Sequence, residues 1–301
     1  MLNVWIKTAG IILAIVIGYG LKKTGSFPQS AAKTLSRLSI NVLLPFVVIC
    51  NLNGLSISRD LWIALLWGFA VDLVLVAAAV FLCRKKGLET RYIMMYCIPS
   101  FNISGFALPV IQSFASEYEV AAVIMFNISI TFFFYIVTPV LVQILTAGEK
   151  KTELKTVVRG LLHNIPALAS FGMLALCLLH ITLPEAVIMA VKPLANANTA
   201  VALLALGLLF EFPEKLPKDN ITALLVRLAI TGSALLLAWF NVLPFGTIRS
   251  AMIIALLAPI PGGSPAMAMN MGYEGSRVAF GVSANLIISV IAMSFMCAVL
   301  F

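Results

Sequence analysis

Asn102, Ser104 and Gly105 stand between Pro99 and Pro109, in a run without a charged residue from Tyr92 to Ser116. Gly263, Ser264 and Pro265 close a second cluster that begins at Pro259, inside the uncharged run Ser250 to Tyr273. Uncharged apolar runs of this length belong in a bilayer. There a proline removes one backbone donor and clashes with the carbonyl four residues before it, while glycine loosens the chain. An unsatisfied carbonyl in hydrocarbon costs several kcal/mol, so a broken helix persists only where it is buried in protein or lines a cavity. Such breaks can bind anions. The N-terminus of a half-helix presents unpaired N–H groups and a partial charge of about +0.5, which attract a carboxylate without a buried Lys or Arg. Asn102 can add an amide N–H, and Ser104 or Ser264 a hydroxyl. Two Gly/Pro-interrupted segments at matching places in two halves of a chain mark a transporter binding site.

One carboxylate, Asp72, falls deep in an apolar run, between Val71 and Leu73. A charge at mid-bilayer costs about 2.5–3.5 kcal/mol on insertion scales. Its functional reading is a protonatable group that couples transport to a proton gradient; its structural reading is a paired residue that ties helices together. The candidate partners are Arg227 and Lys192. Position along the chain suggests that Lys192 snorkels to the outer face and that Arg227 anchors the inner one.

The elements that must position these residues are spans. Of 301 residues, 61% are hydrophobic and 11% charged, against about 25% charged in a soluble domain; the mean hydropathy is +1.06. At about 20 residues per span, the chain accommodates about ten helices and no separate soluble domain. We expect them near 3–21, 31–51, 60–82, 91–114, 119–145, 157–179, 185–210, 219–241, 248–271 and 277–300. Of the 20 Lys and Arg, alternation leaves only Lys7, Arg59, Lys192 and Arg249 on one side and the other sixteen opposite. The positive-inside rule then puts both termini outside, and the net charge of +8 reads as topology, not as nucleic-acid binding. The five cysteines match no metal spacing and read as buried thiols. No P-loop, His-Glu-x-x-His, Gly-x-Ser-x-Gly or paired intramembrane aspartates are present, which argues against direct ATP drive and against an enzyme.

Divided after the fifth span, residues 1–146 and 157–301 hold five helices each. An odd number inverts the second half. Weak echoes support a repeat: Glu117 and Glu274 lie 157 positions apart, Asn127 and Asn285 158, and Pro109 and Pro265 156. Inverted repeats with broken helices at the midplane are a known transporter plan.

Asn102-Ile-Ser-Gly-Phe-Ala-Leu-Pro109 resembles the Asn…Gly…Pro signature of the auxin efflux carrier family, which includes the plant PIN proteins and many bacterial members. Leu43-Leu44-Pro45, His163-Asn164-Ile165-Pro166, the small-residue run Leu194 to Gly207, the Pro259 to Pro265 break and Gly272-Tyr273 resemble it as well. The sequence departs from the signature in having Ser104 and Ala107 where glycine is frequent, and it lacks the long central loop of many plant members. The resemblance implies an all-α polytopic protein of ten transmembrane helices. Helices 4 and 9 would be broken and cross near the midplane, as in bile-acid and sodium/proton transporters. Helices 1, 2, 6 and 7 would form a scaffold, through which a homodimer suits the fold, and 3–5 and 8–10 a mobile transport domain. It also implies that Asn127, with Asn285 as its mate, faces the crossing. The substrate-binding set is thus Asn102, Ser104, Gly105, Pro109, Asn127, Gly263, Ser264, Pro265 and Asn285, with Asp72 for coupling and no cofactor. The expected function is a secondary carrier of a small organic anion in the inner cell membrane, working by alternating access. The alternative is a sodium-coupled symporter or sodium/proton antiporter on the same fold.

Overall fold

The computed structural model describes residues 2–99, 101–146, 165–209, 217–271, 273 and 275–301. Glu274, Gly272, His163 and the basic residues Lys150, Lys151, Lys155, Arg159 and Lys215 lie outside them. Every element among the described residues is helical. In order they are α1 (Leu2–Lys23), α2 (Gln29–Leu38), α3 (Leu44–Leu52), α4 (Arg59–Cys83), α5 (Leu88–Cys97), α6 (Leu108–Gln112), α7 (Glu117–Phe132), α8 (Thr138–Leu145), α9 (Ile165–Leu178), α10 (Glu185–Leu209), α11 (Lys218–Trp239), α12 (Arg249–Leu256), α13 (Ser264–Asn270) and α14 (Ser276–Leu300). Six continuous helices among the described residues are long and apolar enough to cross a bilayer: Ser30–Leu52, Arg59–Cys83, Glu117–Leu145, Glu185–Leu208, Lys218–Trp239 and Ser276–Leu300. This is a polytopic membrane protein. Ile103–Gln112 and Gly246–Leu256 are too short to span alone, because each is half of an interrupted segment.

Three helical segments continue past a proline by the same device. A π turn precedes the X-Pro step in every case: Ser39–Leu43 before Leu44-Pro45, Ile103–Ala107 before Leu108-Pro109, and Phe133–Val137 before Thr138-Pro139. Leu44, Leu108 and Thr138 donate their N–H to Ser39, Ile103 and Phe133, five residues back. Widening one turn gives the proline ring room and lets the helix continue. Pro109, expected to interrupt its helix, therefore sits in the first turn of α6. The interruption lies earlier, at Ile98 to Asn102.

The helices pack in two groups. In one, α10 runs against α1, α2 and α3, and α9 lies on α3. In the other, α4 packs on α7, while α11 contacts α4, α5, α12 and α14. Small residues set the approach inside both. A Cβ on Gly207 would lie 2.1 Å from the Ile15 carbonyl oxygen, and one on Gly68 1.9 Å from Ser129 Oγ. Apolar lipid supplies little drive for helix association, so such close backbone contacts carry it. A buried hydrogen bond from Ser39 Oγ to Asn198 Oδ1 (2.8 Å) ties α10 to the π turn after α2. All five cysteines are free, and all but the half-buried Cys50 are buried.

Gly207→Val should therefore push α10 off α1, at a cost of about 1–3 kcal/mol. Gly232→Ala, whose added Cβ meets nothing within 4 Å, should be neutral or slightly stabilising. Thermal denaturation in detergent compares the two; equal melting temperatures would contradict the packing described.

Candidate functional site

The two interruptions touch. The backbone N–H of Asn102, in the first, donates to the carbonyl of Pro259, in the second, over 2.7 Å. From α14, Asn285 Oδ1 accepts the N–H of Ile260 at 2.7 Å in a buried setting. Each break thus satisfies part of the backbone the other leaves open.

Arg227 satisfies the rest. The interface position expected for it is wrong: it lies midway along α11 and is 2% exposed. Its Nη1 donates to the Ile98 carbonyl at 2.8 Å and its Nη2 to the Ala258 carbonyl at 3.0 Å. These are the oxygens just past the ends of α5 and α12, where a helix carries partial negative charge and lacks donors. A planar guanidinium with five N–H groups can serve both at once; an ammonium would act as a point charge. The guanidinium also lies 4.5 Å from the centre of the Phe101 ring. Asp72 is completely buried on α4, which packs against α11, the helix that carries Arg227. Lys192, the other candidate partner, is exposed. Among the described residues Asp72 is the one fully buried carboxylate and Arg227 the one buried cation.

Beside the crossing lies a cavity of about 630 Å³. Asn102, Ser104, Gly105, Asn127 and Gly263, five of the residues singled out from the sequence, line it. Pro109, Ser264, Pro265 and Asn285 do not. Pro109 and Ser264 are buried, and Ser264 Oγ has no hydrogen-bond partner among the described residues. Asn285 is committed to the second break. Asn102 is partly committed as well, because its Oδ1 accepts from Gly105 N at 3.1 Å and caps the new helix. That leaves its Nδ2 for a ligand. A Cβ at Gly105 would stand 2.7 Å from that Oδ1, so the cap itself requires glycine.

All three π turns contribute to the wall: Ser39, Ile40 and Asn41 from the first, Ile103 to Gly105 from the second, Phe134 from the third. Phe101 and Tyr135 add aromatic surface, and Lys33, Ser36 and Arg37 of α2 complete it. Lys33 and Arg37 are exposed. They entered the sequence reading only as topology markers. Their spacing, four residues apart with Ser36 between them on a markedly amphipathic helix, is the signal that would have found them.

A family model described as a membrane transport protein matches residues 4–300. The chain belongs to that family, the auxin efflux carriers and their relatives. No curated protein matches it. The family is one of membrane transporters and not an enzyme family, and membership agrees with the many apolar helices.

The geometry predicts which positions solvent reaches. With Cys50 replaced by alanine, Asn41→Cys and Ser104→Cys should react readily with a polar thiol reagent. Asn285→Cys and Ser264→Cys should stay near background, because access governs thiol reactivity. Equal labelling at all four would place the cavity elsewhere.

Proposed function

We propose that the chain is a secondary carrier of a small organic anion, a carboxylate, that works by alternating access. The observation that carries this is the cavity: neutral donors at the helix break, apolar and aromatic walls, and two cations, Lys33 and Arg37, at its rim. Carboxylate oxygens would be held by Asn102 Nδ2, the Ser104 hydroxyl and Asn127, with the apolar part of the solute against Phe101, Phe134 and Tyr135. A site with no buried cation of its own facing the solute can release it, which transport requires.

In this reading the chain forms two inverted five-helix repeats, residues 1–146 and 157–301, with both termini outside the inner membrane. The α1–α3, α9 and α10 group is the scaffold, consistent with its mutual packing, and would also supply any homodimer contact. The α4–α8 and α11–α14 group is the transport domain. Lys33 and Arg37 then face the cell interior, and the cavity is open inward. Asp72 is the group whose protonation would couple flux to a proton gradient. The alternative is a sodium-coupled symporter or sodium/proton antiporter on the same fold, and sodium-independent flux would exclude it.

The test is flux of labelled mono- and dicarboxylates in proteoliposomes, with and without a pH gradient. Wild type should move at least one of them; no movement of any carboxylate would remove the proposal. Asn102→Ala should weaken every transported substrate by about 1.5–3 kcal/mol, the worth of a hydrogen bond to a charged group. Replacing Lys33 and Arg37 by glutamine should raise KM, and more so at low ionic strength, where exposed charges act over a longer range. Flux through Asp72→Asn should no longer respond to the gradient; an unchanged response would end the coupling role of Asp72.

A further inference from the structure

Arg227 does more than fill space. The ends of α5 and α12 direct the Ile98 and Ala258 carbonyl oxygens at one spot. Asp72, completely buried, stands on α4, which packs against α11 beside them. Two carbonyls and a carboxylate are the oxygen ligands that hard cations select. Left without a cation, they would be an uncompensated negative site in a dry interior, which is expensive. We infer that Arg227 is a resident counter-cation, standing where this oxygen set would otherwise recruit a free monovalent cation from solution.

Two consequences follow. The crossing is complete without sodium, because its cation is covalently part of α11 and cannot dissociate. Removing the guanidinium converts the spot into a cation-binding site, formed by the Ile98 and Ala258 carbonyls and Asp72. For transport, this rests on the carrier reading above and narrows it to a sodium-independent one. For cation binding, it stands on the geometry alone.

The experiment needs no substrate. Melting temperatures are measured on purified protein in detergent, in sodium, potassium or choline chloride at equal ionic strength, and with guanidinium chloride added at roughly tens of millimolar, below its denaturing range. Wild type should melt at one temperature in all three salts. Arg227→Ala should melt lower, and sodium or guanidinium should restore much of the loss, as a ligand that binds only the folded state must. Arg227→Lys, with one ammonium in place of the fork, should fall between them and respond less to added cation.

Stabilisation of wild type by sodium over choline would overturn the inference, whether or not Arg227→Ala can be purified. So would a folded Arg227→Ala that no cation stabilises. The two readings fail separately. Carboxylate flux in wild type without any cation response in Arg227→Ala would sink the resident cation and leave the carrier. A cation response without flux would do the reverse.

Discussion

A backbone that stops being helical inside a dry interior must find partners for the groups it uncovers. Everything near the crossing follows from that constraint. Four helix ends meet there, two rich in carbonyls and two in N–H groups. The direct bond from Asn102 N to the Pro259 carbonyl accounts for one pair. Asn285 takes the N–H of Ile260, Arg227 takes the carbonyls of Ile98 and Ala258, and Asn102 caps the helix it opens. These partners come from α11, α14 and the breaks themselves, so the crossing is held by long-range contacts and not by either interrupted segment alone. Membrane-embedded irregular backbone survives on such terms.

Much of this is legible in the amino-acid sequence. The breaks announced themselves through proline and glycine in uncharged runs, and Asn102 through being polar at that depth. The details that were not legible have physical reasons. Pro109 reads as a breaker because proline cannot donate to the fourth carbonyl back. Nothing in one segment says that a π turn will shift the bond to the fifth. The clue was distributed, since Pro45 and Pro139 are handled in the same way. Arg227 was misplaced because long cations in spans usually snorkel to an interface. That expectation fails when the interior supplies two helix C-termini and a buried Asp, and their convergence is a property of the fold.

Asn127 and Asn285 make the same point in a sharper form. Nearly constant offsets in sequence paired them, and a repeat would give them equivalent surroundings. In the structure Asn127 lines the cavity while Asn285 is spent on the second break. Sequence offset alone does not assign equal duties, because the two asparagines meet different neighbours. Lys33 and Arg37 were read for their sign alone, which hid that α2 turns its polar face toward the cavity.

The charges at the crossing are sorted by polarity, and the sorting bears on what the cavity can hold. The carbonyl-rich ends of α5 and α12 are closed by a guanidinium that itself sits over Phe101. With that cation permanently in place, the negative ends offer nothing to a solute. What remains open to the cavity is the side where new helix begins, with Asn102, Ser104 and Gly105 at its lip. Helix starts and amide donors favour anions. A cationic solute would find no carboxylate among the lining residues. An anion with an apolar body would find donors at one end and aromatic walls at the other. In the proposed carrier, Arg227 would thus shape the preference of a cavity whose wall it does not join: by satisfying one polarity of the broken helices, it would leave the other to the solute.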